Sequence, residues 1–184
     1  MKLAITGRLG AGKDEAVKYL VTMYDFFPFT FSAKGKAIFH ELFPHLRGDS
    51  KQRQPMRDFI NGITELDVPG AENVWVDYLF RRIKEHEKLH CCRDSNVLIA
   101  DMRKPAEYER AIAEGFTIIR ISAPTEIRIE RAKRRGDVFK AADMNHPTET
   151  ALDNFEVDYE VANDGTLDDL YTKLDEIMAR EGVR

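Results

Sequence analysis

Cysteine is almost absent from this chain: two residues in 184, and they are neighbours, Cys91 and Cys92. Adjacent cysteines cannot close an ordinary loop, which excludes a disulfide-stapled secreted scaffold and fits a reducing compartment. With His86 and His90 they spell H-x-x-x-H-C-C. Zinc ligands pair at roughly two to four residues' spacing, so the stretch reads instead as a helix end running into a loop. Long apolar runs are missing as well. Nothing approaches the ~20 residues of a membrane span, and the N-terminus lacks a secretory-signal pattern. Positive charge is not in excess: 28 Lys and Arg against 32 Asp and Glu leave a net charge of −4. That balance argues against a general nucleic-acid or membrane-surface role. No repeat, low-complexity tract or linker divides the chain. With 43% hydrophobic and 33% charged residues, the composition is that of an ordinary globular protein. The expectation is one cytoplasmic domain over residues 1–184, without nucleic-acid or membrane partners.

What the chain does have is a glycine-rich segment near its start, Gly7-Arg8-Leu9-Gly10-Ala11-Gly12-Lys13-Asp14, between a short apolar run and a helix-like stretch over 15–24. Strand, glycine turn and helix in that order are the context of a phosphate-binding loop. Gly7, Gly10 and Gly12 let the backbone curl so that N–H groups converge on one anion, with the positive end of the helix dipole beneath it. Lys13 would reach the β- and γ-phosphates of a nucleotide. The usual pattern continues with Ser or Thr, whose hydroxyl holds Mg²⁺; here the residue is Asp14. A carboxylate is also a hard oxygen ligand for Mg²⁺. Asp14 could equally serve as a first-turn helix residue that the dipole favours.

Five apolar, β-rich runs, at 2–6, 27–31, 96–100, 116–122 and 159–162, alternate with helix-length segments. Those segments cover 33–43, a stretch around 56–63, and 74–86, 106–114, 125–135 and 166–180. Strands alternating with helices predict a parallel sheet covered on both faces, and such sheets bind ligands beyond their strand carboxyl ends. Asp101 and Arg103 follow the third strand, and Asn163, Asp164 and Gly165 follow the fifth. Asp101 has the position of a second Mg²⁺ anchor or of a base near the attacking oxygen, or of an Asp capping the next helix. Basic residues cluster in two places: Lys51, Arg53 and Arg57, and then Arg128, Arg131, Lys133, Arg134 and Arg135. Arg131 and Arg135, spaced i, i+4, share a helix face. That face is either solvated or, in a protein holding a nucleotide, turned to phosphate.

Together these residues resemble the P-loop nucleoside monophosphate kinases, and most of all the bacteriophage-type deoxynucleoside monophosphate kinases. The likeness rests on Gly12-Lys13-Asp14, on Asp101-x-Arg103 followed by Pro105-x-Glu107, on the run from Arg131 to Asp137, and on Asn163-Asp164-Gly165-Thr166-Leu167. It implies a five-stranded parallel sheet of order 2-3-1-4-5 and transfer of the ATP γ-phosphate to a monophosphate, with Mg²⁺ as cofactor. Gly10, Ala11, Gly12 and Lys13 would cradle the ATP phosphates, with Leu9 and Glu15 on either side of them. Asp14 and Asp101 would hold the metal. Asn163 and Gly165 would lie near the adenine. Acceptor-binding helices would span about 33–90, where Lys34, Arg53 and Arg57 would join Asp101 and Arg103 around the acceptor. Trp75 would touch the acceptor base or sit in the core of its helix. A lid over about 131–147 would bring in Arg131 and Arg135, which with Lys13 and Arg103 would neutralise charge during transfer. Dephospho-coenzyme A or phosphomevalonate as acceptor, and a non-catalytic ATP-binding regulator, are the other readings. A homodimer is left open.

Overall fold

The computed structural model describes residues 1–48, 53–89, 95–134 and 151–183. Five strands run Lys2–Thr6 (β1), Phe26–Phe29 (β2), Asn96–Ile99 (β3), Thr117–Ser122 (β4) and Tyr159–Ala162 (β5). The helices described are Lys13–Tyr24 (α1), Ala33–Leu42 (α2), Arg53–Thr64 (α3), Val74–Leu89 (α4), Pro105–Ala113 (α5), Thr125–Arg134 (α6) and Leu167–Arg180 (α7). The chain divides into two compact units, Met1–Pro28 with His90–Arg184, and Phe29–Leu89.

The sheet has the order β2-β3-β1-β4-β5 with parallel pairing, the order that the resemblance implied. β1 lies at its centre, Leu3 standing opposite Leu98 on one side and Thr117 on the other. Leu3, Ala4 and Ile5 are all fully buried, so both faces of the central strand are covered, which is why the strand reads as a continuous apolar run rather than an alternation. On one face Leu3, Ile5, Leu98, Ile119, Ile121 and Val161 pack with Ala16 and Leu20 of α1 and with Leu170, Leu174, Ile177 and Met178 of α7. Each buried Leu, Ile, Val or Met among these contributes about 1.5–3 kcal/mol. Tyr19 and Tyr24 add polar pins, both hydroxyls donating to Asp175 Oδ1, at 2.7 and 2.6 Å.

Element ends moved for local reasons. Gly12, in the left-handed region at φ 102°, is the N-cap of α1, so the helix starts at Lys13, and Asp14 and Glu15 fall in its first turn. β2 stops at Phe29 because the chain then turns, Ala33 N–H donating to Thr30 O at 3.3 Å.

The second unit holds α2, α3 and α4, and the stretch assigned from sequence to acceptor-binding helices falls in it. Trp75 is its anchor: the ring is buried and its indole N–H donates to Ile60 O at 3.0 Å. A Cβ on Gly35 would lie 2.7 Å from Ile60 Cγ1, so the absent side chain lets α2 and α3 approach. Among the described residues no helix is long and apolar enough to cross a membrane.

Candidate functional site

Between β1 and α1 the backbone turns through three glycines at positive φ: Gly7 at 139°, Gly10 at 78° and Gly12 at 102°. Conformation is only half of the requirement. A Cβ on Gly7 would lie 2.1 Å from the carbonyl oxygen of Ile121, and one on Gly10 would lie 3.0 Å from that of Arg128. On Gly12 it would lie 2.1 Å from Nδ2 of Asn163. The loop is therefore pressed against β4, α6 and the end of β5, and only glycine fits at these contacts.

Lys13 is 7% exposed and its ammonium turns back into the loop, donating to the carbonyls of Gly7 and of Arg8, the latter at 3.0 Å. The first bond within α1 runs from Ala16 N–H to Gly12 O at 3.1 Å. The N–H groups of the first turn thus precede the helix's own ladder and add to its positive end. A cation and a helix N-terminus converge on one spot. Asp14 is exposed there and Glu15 half-buried.

The neighbouring strand end supplies the next groups. Ala4 pairs with Ile99, so by register Asp101 comes level with Thr6, beside the start of the loop. Asp101 and Arg103 are half-buried. The turn carrying them is held by Glu107, whose Oε2 accepts the backbone N–H of Arg103 at 2.7 Å and of Lys104 at 2.9 Å. Burial pushes the Glu107 carboxyl up to about 7, against the pull of those two bonds and with Asp101 adding to the rise. Pro105 at the first helical position and Glu107 at the third form the capping pattern of α5.

On the other side, Asn163 leaves β5 with 3% exposure. Its Nδ2 donates to Ala11 O at 2.8 Å, while its backbone oxygen and Oδ1 accept from Arg131 at 3.1 and 3.2 Å. Gly165 adjoins the capping box of α7, where Thr166 N–H donates to Asp169 Oδ2 at 2.8 Å; a Cβ on Gly165 would lie 2.4 Å from that same oxygen.

The structure thus gathers Leu9, Gly10, Ala11, Gly12, Lys13, Asp14, Glu15, Asp101, Arg103, Arg131, Asn163 and Gly165 at the carboxyl edge of one sheet. Lys34, Arg53, Arg57 and Trp75 belong to the other unit; Lys34 and Arg57 are exposed there. Arg135 and the rest of the expected lid, 135–147, lie outside the described residues, as do Cys91 and Cys92. Arg128 was missed as a site residue. It is 2% exposed and donates to Leu9 O at 3.3 Å and to Thr125 Oγ1 at 3.0 Å. A cation on a charge-rich helix looks solvated in sequence; the one hint is that Arg128 stands i, i+4 from the buried Ala132. Arg8 forms an ion pair with Asp153, Nε lying 3.1 Å from either oxygen, and no sequence signal links two residues so far apart.

No family model matches the sequence and no curated protein does, but solved structures do. The Thermus thermophilus protein TT1252 superposes with a TM-score of 0.56 at 18% identity, covering 97% of this chain and 96% of that one. The shared fold is a five-stranded parallel α/β fold of order 2-3-1-4-5. An unliganded sugar kinase from Janibacter sp. gives 0.56 at 14% identity, over 98% of this chain and 94% of that one. Shikimate kinase from Acinetobacter baumannii, in complex with shikimate, gives 0.54 at 13%, over 99% and 94%. At these identities the likeness is one of fold.

Proposed function

We propose that the chain is an ATP-dependent kinase that transfers the γ-phosphate to a nucleoside monophosphate, a deoxynucleoside monophosphate being the acceptor class expected. The observation that carries this is the glycine loop, folded around the buried Lys13 at the head of α1. A cation, a helix N-terminus and a curled backbone at one point suit a polyphosphate. The kinases among the structural neighbours support phosphoryl transfer.

In the reaction an oxygen of the acceptor phosphate forms a bond to the γ-phosphorus while the bond to the β,γ-bridging oxygen breaks, and ADP leaves. The acceptor oxygen is already anionic, so no strong base is needed. Catalysis then rests on alignment and charge. Lys13 would bind the β- and γ-phosphates, and Arg103 the acceptor phosphate; Arg131, with Arg135, would meet the charge of the transferring group. Lys34, Arg53 and Arg57 would add positive charge on the acceptor side.

The donor set suits Mg²⁺. Asp14 and Asp101 offer hard oxygens, and among the described residues no group of three or more His, Cys, Asp or Glu forms a closed metal cage. One or two carboxylates plus substrate phosphates is how Mg²⁺ is commonly held. When bound, the ion would neutralise the β- and γ-phosphate charge.

The sugar kinase and the shikimate kinase among the structural neighbours favour a second reading, in which the acceptor is a small alcohol. A coupled assay of ADP release separates the two. ATP and Mg²⁺ are offered with the nucleoside and deoxynucleoside monophosphates, shikimate, simple sugars, phosphomevalonate and dephospho-coenzyme A. Turnover with at least one monophosphate is expected. Turnover only with an alcohol or another phosphorylated acceptor overturns the substrate, and ATP binding without any turnover leaves a nucleotide-binding regulator.

A further inference from the structure

The loop's carbonyls are held in two different ways. Those of Gly7 and Arg8 take the ammonium of Lys13. Those of Leu9 and Ala11 are taken by side chains from elsewhere in the fold, Arg128 of α6 and Asn163 at the end of β5. In a trans peptide unit the C=O of one residue and the N–H of the next point in opposite directions. Pulling the Leu9 carbonyl towards Arg128 therefore turns the Gly10 N–H the other way, and pulling the Ala11 carbonyl towards Asn163 does the same for the Gly12 N–H. We propose that Asn163 and Arg128 are positioning residues, struts that keep the Gly10 and Gly12 N–H groups aimed at a bound phosphate chain, and that the Asn163 side chain does not read the base.

Three observations support this. Asn163 is 3% exposed, which leaves almost no edge for a purine. Its amide is engaged at both ends, Nδ2 on Ala11 and Oδ1 on Arg131 at 3.2 Å, so the loop, β5 and α6 are joined through one side chain. A Cβ on Gly12 would sit 2.1 Å from Asn163 Nδ2, and one on Gly10 3.2 Å from Arg128 Cβ; the glycines make room for the struts as well as for an anion.

The inference rests on the phosphate-binding reading of the loop, and the test keeps the two apart. Affinities for ATP and for inorganic tripolyphosphate, which has no base, are measured by calorimetry on the wild type, Asn163→Ala and Arg128→Lys, with melting temperatures alongside. A strut acts on the phosphate site, so each variant should weaken both ligands by the same factor, about tenfold for one lost hydrogen bond in a dry site. If Asn163→Ala weakens ATP but leaves tripolyphosphate unchanged, the residue contacts the base and the proposal fails. A lower melting temperature with both affinities intact makes the residue merely structural and also overturns it. Should Asn163→Ala not fold, Arg128→Lys carries the same comparison, because it keeps the charge and loses the fork. Wild-type protein that binds neither ligand would defeat the phosphate-loop reading itself.

Discussion

Glu107 offers the strongest test of the energetics around the β3–α5 turn. Two influences oppose each other there. Burial disfavours the carboxylate, while the N–H groups of Arg103 and Lys104, at 2.7 and 2.9 Å, favour it. Burial prevails, and the group rises from an ordinary 4.5 to about 7. Each unit of displacement is worth ~1.36 kcal/mol, so the fold favours the protonated form by roughly 3 kcal/mol. Below pH 4.5 both folded and unfolded chains hold the proton and nothing is lost. From there to pH 7 the unfolded chain releases it while the folded chain retains it. Stability from this one group therefore falls as pH rises, and levels off above about pH 7.

The comparison protein is Glu107→Gln, which keeps an acceptor for the turn and cannot ionise. Other groups titrate in both proteins, so the readout is the difference between them. Urea unfolding from pH 4.5 to 8.5 should show the variant gaining on the wild type by about 3 kcal/mol across the window. In a chain of this length that corresponds to roughly 6–12 °C in melting temperature. Parallel curves would mean that the carboxyl is not displaced. A wild type that gains on the variant as pH rises would mean that the two backbone bonds outweigh burial, which is the reverse of the reasoning.

Topology was legible because the inner strands β1 and β3 announce themselves by runs that are apolar on both faces, and helices by spacing such as Leu170, Leu174 and Ile177 of α7. Element ends were less so. The start of α1 depends on Gly12 being left-handed, at φ 102°, which composition and spacing do not reveal. The loop itself was legible because its chemistry is contiguous. Its supports were not: Arg128, Asn163 and Asp153 reach it from α6, from the end of β5 and from beyond the expected lid. Periodicity within a window carries no information on pairs 119, 152 or 145 residues apart. Asn163 is an example: its place at a strand end suggested a ligand contact, and the bond from its amide to Ala11 O could not be read from the sequence. Trp75 had two readings in sequence, and the structure seats its ring among the helices of the second unit, hydrogen-bonded to Ile60.

Two further predictions concern the loop and the Mg²⁺ contact proposed for it. Gly12→Ala, strained at φ 102° and colliding with Asn163 Nδ2, should cost at least ~2 kcal/mol. Gly62→Ala, inside α3 with nothing within 4 Å of the added methyl, should gain ~0.5–1 kcal/mol; equal effects in urea unfolding would refute the packing argument. The last concerns Asp14, exposed in the first turn of α1, where a carboxylate can serve the metal or only the helix dipole. Asp14→Ala removes the oxygen ligand altogether, and Asp14→Ser leaves a neutral one in its place. If the carboxylate holds Mg²⁺, alanine should raise the barrier by on the order of 2–4 kcal/mol and shift the Mg²⁺ requirement upwards, with serine between alanine and the wild type. If it only favours the dipole, the loss is one of stability, about 0.3–1 kcal/mol, with hardly any change in rate. Turnover across a Mg²⁺ titration, read beside the melting temperature, separates these, because a metal ligand changes the first and a dipole partner only the second. A full-rate alanine variant with an unshifted Mg²⁺ requirement would remove Asp14 from the metal site and leave Asp101 as the carboxylate to test.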